Sequence, residues 1–296
     1  IKKDIHNNNI YWQREACIDN KEFIHFNQVA NGVLEAGRFR GAYGGSKVFK
    51  VKKYFNKIEF VTQNASFYFD PENALSKSKD ANISSGIMAS VKIEAHDKNK
   101  GLYLIKADGL FLSETFSQIK PPRFPGQSPL AFKLGSLSKT KTKVNAIKNY
   151  EENTNLQVEY VYSSPSVLNG GSSAVTDGRN VSIKVFHSLI EMPDNDYEIR
   201  YDDPRVGYFT TQVTDQTSTS ATPYRDLVHR WNLKKKDPNA AISEPVEPIT
   251  WWIENSTPIE WRETIKNAVF ETKKGITAID TDGLTLSNIK IIASND

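Results

Sequence analysis

Apolar and polar residues alternate with a period of two along several short segments of this chain. The alternation is clearest in residues 87–96 (IMASVKIEAH), 156–162 (LQVEYVY) and 180–190 (NVSIKVFHSLI). A strand whose two faces meet different surroundings produces this period. Helical periodicity is rare between these segments, and Gly, Pro, Asn and Asp punctuate the chain there. The pattern predicts a mainly β chain, α+β overall, with antiparallel sandwich or barrel-like sheets and few short helices.

Composition and charge limit the class of protein. The 296 residues are 38% hydrophobic and 25% charged, which is the range of soluble globular proteins. No apolar run approaches the roughly eighteen residues of a membrane span, so a span is not expected. The net charge of +3 is too small to indicate nucleic-acid binding. The lysines of residues 47–57 alternate with apolar residues, which favours the solvated face of strands over an anion-binding surface.

Segments rich in turn-forming residues divide the chain into four predicted regions. Residues 1–120 are predicted to form a β-rich domain. Residues 121–155 form a connection rich in Pro and Lys, with a short helix over residues 139–150. Residues 156–247 are predicted to be a second β-rich region that ends in a polar strap. Residues 248–296 are predicted to begin a further domain.

That further domain is predicted from a strand that runs directly into a helix. Residues 249–253 (ITWWI) are β-branched and aromatic, as is typical of a strand. Thr257 and Glu260 have the spacing of a capping box, and Pro258 occupies the first helical position. One apolar stripe then follows at helical spacing, made of Trp261, Ile265, Ala268 and Val269.

The histidines do not have the spacing of a zinc helix. Five are present, and no two are four residues apart, so a His-Glu-x-x-His motif is absent from the sequence. Three of them lie in strand patterns, where structural histidines are expected: His25, His96 and His187. His229 lies among charged residues, and its spacing gives it no catalytic role.

The cysteine and the paired aspartates also lack the further residues that a catalytic or metal site would need. Cys17, the single cysteine, is compatible with masking a metal or with being a small buried side chain. Asp202 and Asp203 precede a proline and are predicted to build an Asx-type turn. Asp280 and Asp282 suggest a calcium loop but lack its remaining ligand positions. The sequence therefore predicts no catalytic, cofactor-binding or metal-binding residue.

Three long runs in the second half carry a resemblance to a known family. They are residues 201–209 (YDDPRVGYF), 228–238 (VHRWNLKKKDP) and 242–253 (ISEPVEPITWWI), and residues 257–262 continue the likeness. The chain resembles secreted bacterial zinc-dependent metalloproteases, in which β-rich domains of unknown function precede a metzincin- or matrixin-like catalytic domain. The resemblance implies a family reaction in which zinc-bound water hydrolyses peptide bonds, activated by the Glu of His-Glu-x-x-His.

The sequence departs from that family in two places. The zinc-binding helix would lie downstream of residue 296, so no catalytic residue is carried over and the chain is expected to be inactive as a peptidase. After Val269 the family's helix should continue, but residues 276–292 alternate around an Asp-Gly pair and are predicted to form a hairpin. The same tail also resembles a rung of the β-helix in pectin-degrading enzymes. The sequence of the tail is compatible with three origins: a divergent end of the same family, a fusion to another protein, or a join made during sequence assembly.

Two main functional hypotheses follow, and a third, an enzyme of pectin breakdown, rests only on the resemblance of the tail. In the first, the chain is the non-catalytic N-terminal portion of a metalloprotease-like protein. The resemblance then implies a protein or peptide substrate, contact with a catalytic domain, zinc only in a full-length relative, and a secreted, periplasmic or cell-envelope location. In the second, the chain is a stand-alone secreted or envelope module that recognises glycan or protein through an exposed aromatic face. Aromatic residues of all kinds make up 11% of the chain. Trp251, Trp252 and Trp261 are expected to pack against the β-rich region or to be the most exposed aromatic residues in the chain.

Overall fold

The computed structural model of the chain describes residues 1–3, 10–15, 21–194, 196–254, 256–277 and 290–293. The chain divides into two compact units, one of Ile1–Asp196 with Gln212–Arg225 and one of Tyr197–Thr211 with Asp226–Asp296. The fold is mainly β, with 40% of the described residues in strands and 9% in α-helices. This confirms the fold class predicted from the alternation. No helix among the described residues is long and apolar enough to cross a membrane.

In the described part of the chain, the secondary structure consists of strands of two to twelve residues, two α-helices and the two 3-10 helices Leu34–Ala36 and Ala74–Ser78. The strands are β1 (Lys2–Lys3), β2 (Ile10–Glu15), β3 (Glu22–Asn31), β4 (Tyr43–Tyr54), β5 (Lys57–Thr62), β6 (Phe67–Tyr68), β7 (Gly86–Asp97), β8 (Leu102–Lys106), β9 (Ser136–Leu137), β10 (Lys143–Asn149), β11 (Asn153–Ser163), β12 (Asn180–Glu191), β13 (Thr210–Asp215), β14 (Tyr224–Val228), β15 (Thr250–Ile253) and β16 (Lys290–Ala293). The helices are α1 (Asp108–Phe111) and α2 (Ile259–Thr277).

One curled antiparallel sheet of eleven strands forms a half-barrel in the first unit. Its order is β1-β2-β8-β7-β5-β4-β3-β12-β11-β10, and β9 pairs with β11. The β3–β12 pairing, with Ile24 opposite Ile190, joins strands that lie far apart in the chain. A single sheet therefore contains strands from both predicted β-rich regions, residues 1–120 and 156–247.

The two ends of the strand path are linked by one side chain. The Ile1 nitrogen donates to Oδ1 of Asn149 at 2.8 Å, and Nδ2 of Asn149 donates back to the Ile1 carbonyl at 2.9 Å. Asn149 ends β10, the last strand of the path, and Ile1 precedes β1, the first. These two hydrogen bonds hold the ends of the curled sheet together where ladder hydrogen bonds do not.

The inner face of the sheet is filled by alternate strand residues and by the segment that follows β8. On β12, Val181, Ile183 and Val185 are buried, and the residues between them face outward. Phe116, from the segment after α1, packs against three other phenylalanines at ring-centroid distances of 5.3–5.8 Å: Phe49, Phe60 and Phe111. Fully burying such side chains stabilises the fold by about 1.5–3 kcal/mol each.

The lysine-rich stretch is the solvated side of strands, as the alternation predicts. Phe49 and Val51 of β4 are fully buried, while Lys52 and Lys53 are exposed. Lys50 lies 3.3 Å from the carboxylate of Glu22 on the neighbouring strand β3. Such half-exposed cross-strand pairs contribute little to stability, so the fold rests on the buried face.

The helix predicted over residues 139–150 is wrong. The segment forms β10, which pairs antiparallel with β11. A β-bulge between Val144 and Ala146 shifts the register by one residue. The shift brings Val144 and Ile147 to the same inner side, so their spacing of three imitates a helix although the segment is a bulged strand.

The hairpin predicted over residues 276–292 is also wrong at its first residues. Helix α2 continues through Ile276 and Thr277, so the expected departure after Val269 does not interrupt it. Residues 270–274 (FETKK) include good helix formers, which explains the extension. Residues 278–289, with the predicted Asp-Gly turn and calcium loop, lie outside the described part of the chain. β16 then pairs in parallel with β15, placing Ile291 opposite Trp251.

Candidate functional site

Two of the strand histidines meet in the core of the first unit. Nε2 of His25 on β3 lies 3.0 Å from Nδ1 of His187 on β12, and the rings stack at a centroid distance of 5.3 Å. The other nitrogen of His187 lies 2.8 Å from the hydroxyl of Tyr160 on β11. Both histidines are 1% exposed. Nδ1 of His25 has no hydrogen-bond partner among the described residues.

Burial keeps these imidazoles neutral. It lowers the pKa of His25 to about 4, with a further contribution from Lys47, and the pKa of His187 to about 3, with a contribution from His25. Burial likewise raises the pKa of Tyr160 well above its usual range. A neutral chain from His25 through His187 to Tyr160 is consistent with these directions. Since the histidines have almost no access to solvent, the chain is a polar element of the core and does not reach a substrate.

A second buried polar contact lies on the same inner side. The hydroxyl of Tyr162 donates to Oε1 of Glu114, which also accepts the Lys120 backbone N–H at 3.0 Å. Nδ2 of Asn27 donates to the Ser117 hydroxyl at 2.9 Å. These bonds fasten the segment after α1 to strands β11 and β3, since Glu114 and Ser117 both belong to that segment. Their role is to satisfy polar groups in the core.

The remaining residues that the sequence analysis considered are not brought together in one site by the described structure. His96 is exposed and stacks on Tyr103 at 4.4 Å. His229 is exposed, and its Nε2 lies 2.7 Å from the Thr211 hydroxyl. His6 and Cys17 lie outside the described residues, so both interpretations of Cys17 stay open.

The Asp202–Asp203 pair builds a turn, as predicted. Oδ1 of Asp203 accepts the backbone N–H of Arg205 at 3.0 Å, which is the Asx-turn geometry. The Arg205 guanidinium also binds this carboxylate and lowers the pKa of Asp203 below its usual value. The carboxylate is therefore held by its own turn and is unsuited to acid–base chemistry.

Zinc does not fit the residues that the structure describes. No group of three or more His, Cys, Asp or Glu side chains in this part of the chain could hold a metal ion. A zinc site requires three or four such ligands around one point. The buried histidine pair supplies two imidazoles, and one of its nitrogens is already bound by Tyr160.

The outer face of the large sheet carries a shallow groove, here called the outer groove. It has a volume of about 290 Å³. It is lined by Phe26, Gln28, Ala146, Lys148, Tyr150, Asn155, Gln157, Phe186 and Ser188. Lys148 is the one residue in this lining that is normally charged. The groove thus combines aromatic rings with amide groups on a nearly neutral surface.

Strand register arranges the groove residues in two rows. Phe186 on β12 lies between Gln157 on β11 and Gln28 on β3. In the next row, Ser188 lies between Asn155 and Phe26 on the same three strands. Phe186 is 41% exposed, although the residues on either side of it, Val185 and His187, are buried. The alternation of β12 therefore directs a large ring outward into solvent at the middle of the sheet.

The second unit exposes large apolar residues on β15 and α2. Trp251 and Trp252 of β15 are 49% and 66% exposed, and Trp261 of α2 is 58% exposed. Ile265, one turn further along the predicted apolar stripe of α2, is 40% exposed. Neither expected outcome is met in full: the tryptophans are exposed, but among the described residues Phe209 and Phe55 are more exposed, at 88% and 79%. Monomeric proteins rarely leave large apolar areas in solvent, so the exposed side chains of β15 and α2 are suited to contact with another protein surface.

Sequence reasoning missed the outer groove because its residues come from distant parts of the chain. Phe186 and Phe26 lie 160 positions apart in the sequence, and only the β3–β12 pairing brings them onto neighbouring strands. The outward position of Phe186 in its strand was readable from the alternation, but its neighbours were not. Non-local pairings leave no periodic signal in a single sequence.

Comparison with known proteins identifies a family for the chain. A family model described as a domain of unknown function (DUF5117) matches residues 41–236, which is more than half of the chain. The match begins in the loop before β4, includes the outer-groove strands β10, β11 and β12, and ends in the polar strap. No curated protein and no solved structure matches the chain. The chain therefore belongs to the DUF5117 family of domains of unknown function.

Proposed function

We propose that this chain is the non-catalytic portion of a zinc-dependent metalloprotease-like protein. In this proposal a catalytic domain packs on the exposed apolar residues of β15 and α2, and peptide hydrolysis takes place in that domain. The support is the resemblance of residues 201–209, 228–238 and 242–253 to the metalloprotease family. A secreted, periplasmic or envelope location is part of the same proposal.

The exposure of Trp261 and Ile265 is the observation that carries this proposal. A helix with one apolar stripe normally buries that stripe against the rest of its domain. Here the stripe is in solvent, and so are two tryptophans of the strand that precedes the helix. A strand and helix of this kind are complete as a domain only when further elements cover them.

The first test is the coding frame that contains the chain. A segment of the form His-Glu-x-x-His-x-x-Gly-x-x-His after residue 296 is the expected result. An open frame that continues without such a segment, or a stop codon directly after residue 296, contradicts the proposal. Metal analysis of the purified 296-residue chain is expected to find no stoichiometric zinc, and tight one-to-one zinc would contradict the assignment of the metal to another domain.

The second test follows the tryptophans themselves. In the 296-residue chain, acrylamide should quench the fluorescence of the exposed tryptophans on β15 and α2 efficiently, while the 7%-exposed Trp12 stays protected. In a longer protein that includes the zinc motif, Trp251, Trp252 and Trp261 should become protected. A Trp231→Phe background removes a further exposed tryptophan from the signal. Equal quenching in both proteins contradicts packing of a catalytic domain on this surface.

We infer a second candidate function, a binding module for glycan or protein, from the outer groove. A half-exposed phenylalanine flanked by amides on a regular sheet is not required by the core. Concave surfaces that combine aromatic rings with a few polar groups are the usual sites of ligand binding. Substituting Phe186 by Ala in the whole chain should weaken binding of the recognised oligosaccharide or peptide about tenfold or more without unfolding the sheet. Unchanged recognition would contradict this second function.

A further inference from the structure

The outer groove has the geometry of a platform. Neighbouring strands in a sheet lie about 4.8 Å apart, and side chains on the same face of one strand about 7 Å apart. Gln157, Phe186 and Gln28 therefore form one row, with an amide about one strand spacing on each side of the ring. Phe26 is diagonal to Phe186, and its ring contacts that of Tyr43 at a centroid distance of 5.6 Å. The rings and amides thus alternate over a surface several strands wide.

Polar groups in the groove are available to a ligand. Within the described part of the chain, the side chains of Gln157 and Ser188 make no hydrogen bonds to protein atoms. Nε2 of Gln28 has one long contact, at 3.4 Å to the Gly41 carbonyl. Each amide offers a donor and an acceptor side by side, which matches two neighbouring hydroxyl groups.

We propose that the outer groove binds a neutral oligosaccharide. The flat apolar face of a pyranose ring packs on Phe186 and Phe26, while its hydroxyls bind the amides of Gln157, Gln28 and Asn155. A groove of about 290 Å³ lies at the lower end of the usual range of about 300–1,000 Å³ for ligand pockets, so it takes a short stretch of a glycan chain. This inference rests on the binding-module function proposed above and specifies its ligand class.

Charge and depth favour a neutral sugar over other partners. Lys148 is the one normally charged residue in the groove lining, so an anionic or cationic ligand finds little electrostatic attraction there. The groove is shallow and lacks the deep pocket that anchors a protein hot spot. Several separate amide groups would be left unpaired by an apolar ligand.

Titration calorimetry of the whole chain with four neutral hexasaccharides tests this inference. The probes are cellohexaose, maltohexaose, xylohexaose and mannohexaose. At least one should bind with a Kd between about 10 μM and 1 mM, the range of a small and polar site. Phe186→Ala and Gln157→Ala should each weaken that binding about tenfold or more. Phe124→Ala, which removes a 70%-exposed ring outside the groove, is the matched control and should bind as the wild type does.

The folded state of each variant is checked by its circular dichroism and its thermal midpoint. Absence of binding by all four sugars at about 10 mM overturns the inference, and so does wild-type binding by Phe186→Ala. A second probe, peptides selected from a display library for binding to the chain, distinguishes failure of the glycan inference from failure of the binding-module function. If a peptide binds in a way that depends on Phe186 and no sugar binds, the oligosaccharide inference is wrong and the chain remains a candidate protein-binding module. If neither kind of ligand depends on Phe186, the binding-module function fails as well.

Discussion

His25 and His187 share a 3.0 Å hydrogen bond although 162 residues separate them in the chain. The bond crosses the β3–β12 pairing at the middle of the large sheet. Because both rings are buried and neutral, proton uptake by either one opposes folding. The stability of this unit therefore depends on pH at values above the pKa of exposed carboxylates, where the histidines of the unfolded chain take up protons.

We expect the free energy of unfolding to decrease as the pH falls from about 6.5 towards 4. The unfolded histidines bind protons near pH 6.5, while the pKa values of the folded His25 and His187 are about 4 and 3. The unfolded state holds more protons between these values, so acid favours unfolding, and the full contribution is present only above about pH 6.5. Urea unfolding at several pH values measures the effect. Equal stability at pH 7.5 and pH 5 would contradict it.

Matched variants assign that pH dependence to the buried pair. His187→Gln should reduce the slope between pH 7 and 4.5 and lower the free energy of unfolding at pH 7.5 by about 1–3 kcal/mol, because it leaves buried partners unpaired. His96→Gln changes an exposed histidine and should keep the wild-type slope. The aspartates with lowered pKa, such as Asp215, lose their contribution only below about pH 3.8, outside this window.

Removing the hydroxyl of Tyr160 should destabilise the chain. Tyr160→Phe leaves Nε2 of His187 without its 2.8 Å partner in the core, at a cost of about 1–3 kcal/mol. Tyr54→Phe removes a hydroxyl from a side chain that is 57% exposed and should change stability by less than about 0.5 kcal/mol. Urea denaturation of the two variants checks the difference. Equal stability of both would show that the His187–Tyr160 contact contributes nothing.

Truncation of Phe116 should be among the most destabilising changes in the first unit. The ring is 1% exposed and packs against three phenylalanines and His25. Phe116→Ala is expected to cost about 3–5 kcal/mol, because it removes a large buried ring and leaves a cavity. Phe124→Ala, in an exposed loop, should cost less than about 0.5 kcal/mol. Thermal and urea unfolding measure the loss in free energy of unfolding for both variants. A small loss for Phe116→Ala would place the segment after α1 outside the core.

Polar substitution of the exposed tryptophans should reduce self-association without loss of stability. Trp251→Ser and Trp252→Ser remove large apolar side chains that are 49% and 66% exposed. Exposed apolar surface of this size promotes association between copies. Light scattering over a range of protein concentrations measures the effect. Tyr43→Ser, which removes an exposed aromatic ring from the first unit, is the control and should leave self-association unchanged.

Local patterns predicted the strands well and their partners poorly. The alternation in residues 156–162 and 180–190 corresponds to β11 and β12, because each strand has one buried and one outward face. The same reasoning failed at the bulge after Val144. One extra residue there changes the spacing of the inward-facing residues from two to three, which resembles helical spacing. The helix after Pro258 was found from its capping residues and apolar stripe, while its extension to Thr277 was not.

The candidate site was even less accessible to sequence reasoning. His25 and His187 were interpreted correctly as strand residues with a structural environment, but nothing in their spacing indicates that they touch. Phe186 and Gln28 belong to strands whose pairing is set by the curvature of the whole sheet. Ring exposure and amide position depend on that pairing, so the outer groove appears only in three dimensions.

The β3–β12 pairing also has a consequence for how the chain is made. β3 is synthesised early, yet its partner β12 leaves the ribosome only after residue 180 has been added. Closing so long a loop costs conformational entropy before any contact compensates for it, and folds dominated by such contacts form slowly. Until β12 is added, the edge of β3 that β12 covers has no strand partner in the chain, and unpaired strand edges are prone to pairing with other chains. Protection of this edge until synthesis passes β12 is therefore a requirement that the topology itself places on the cell.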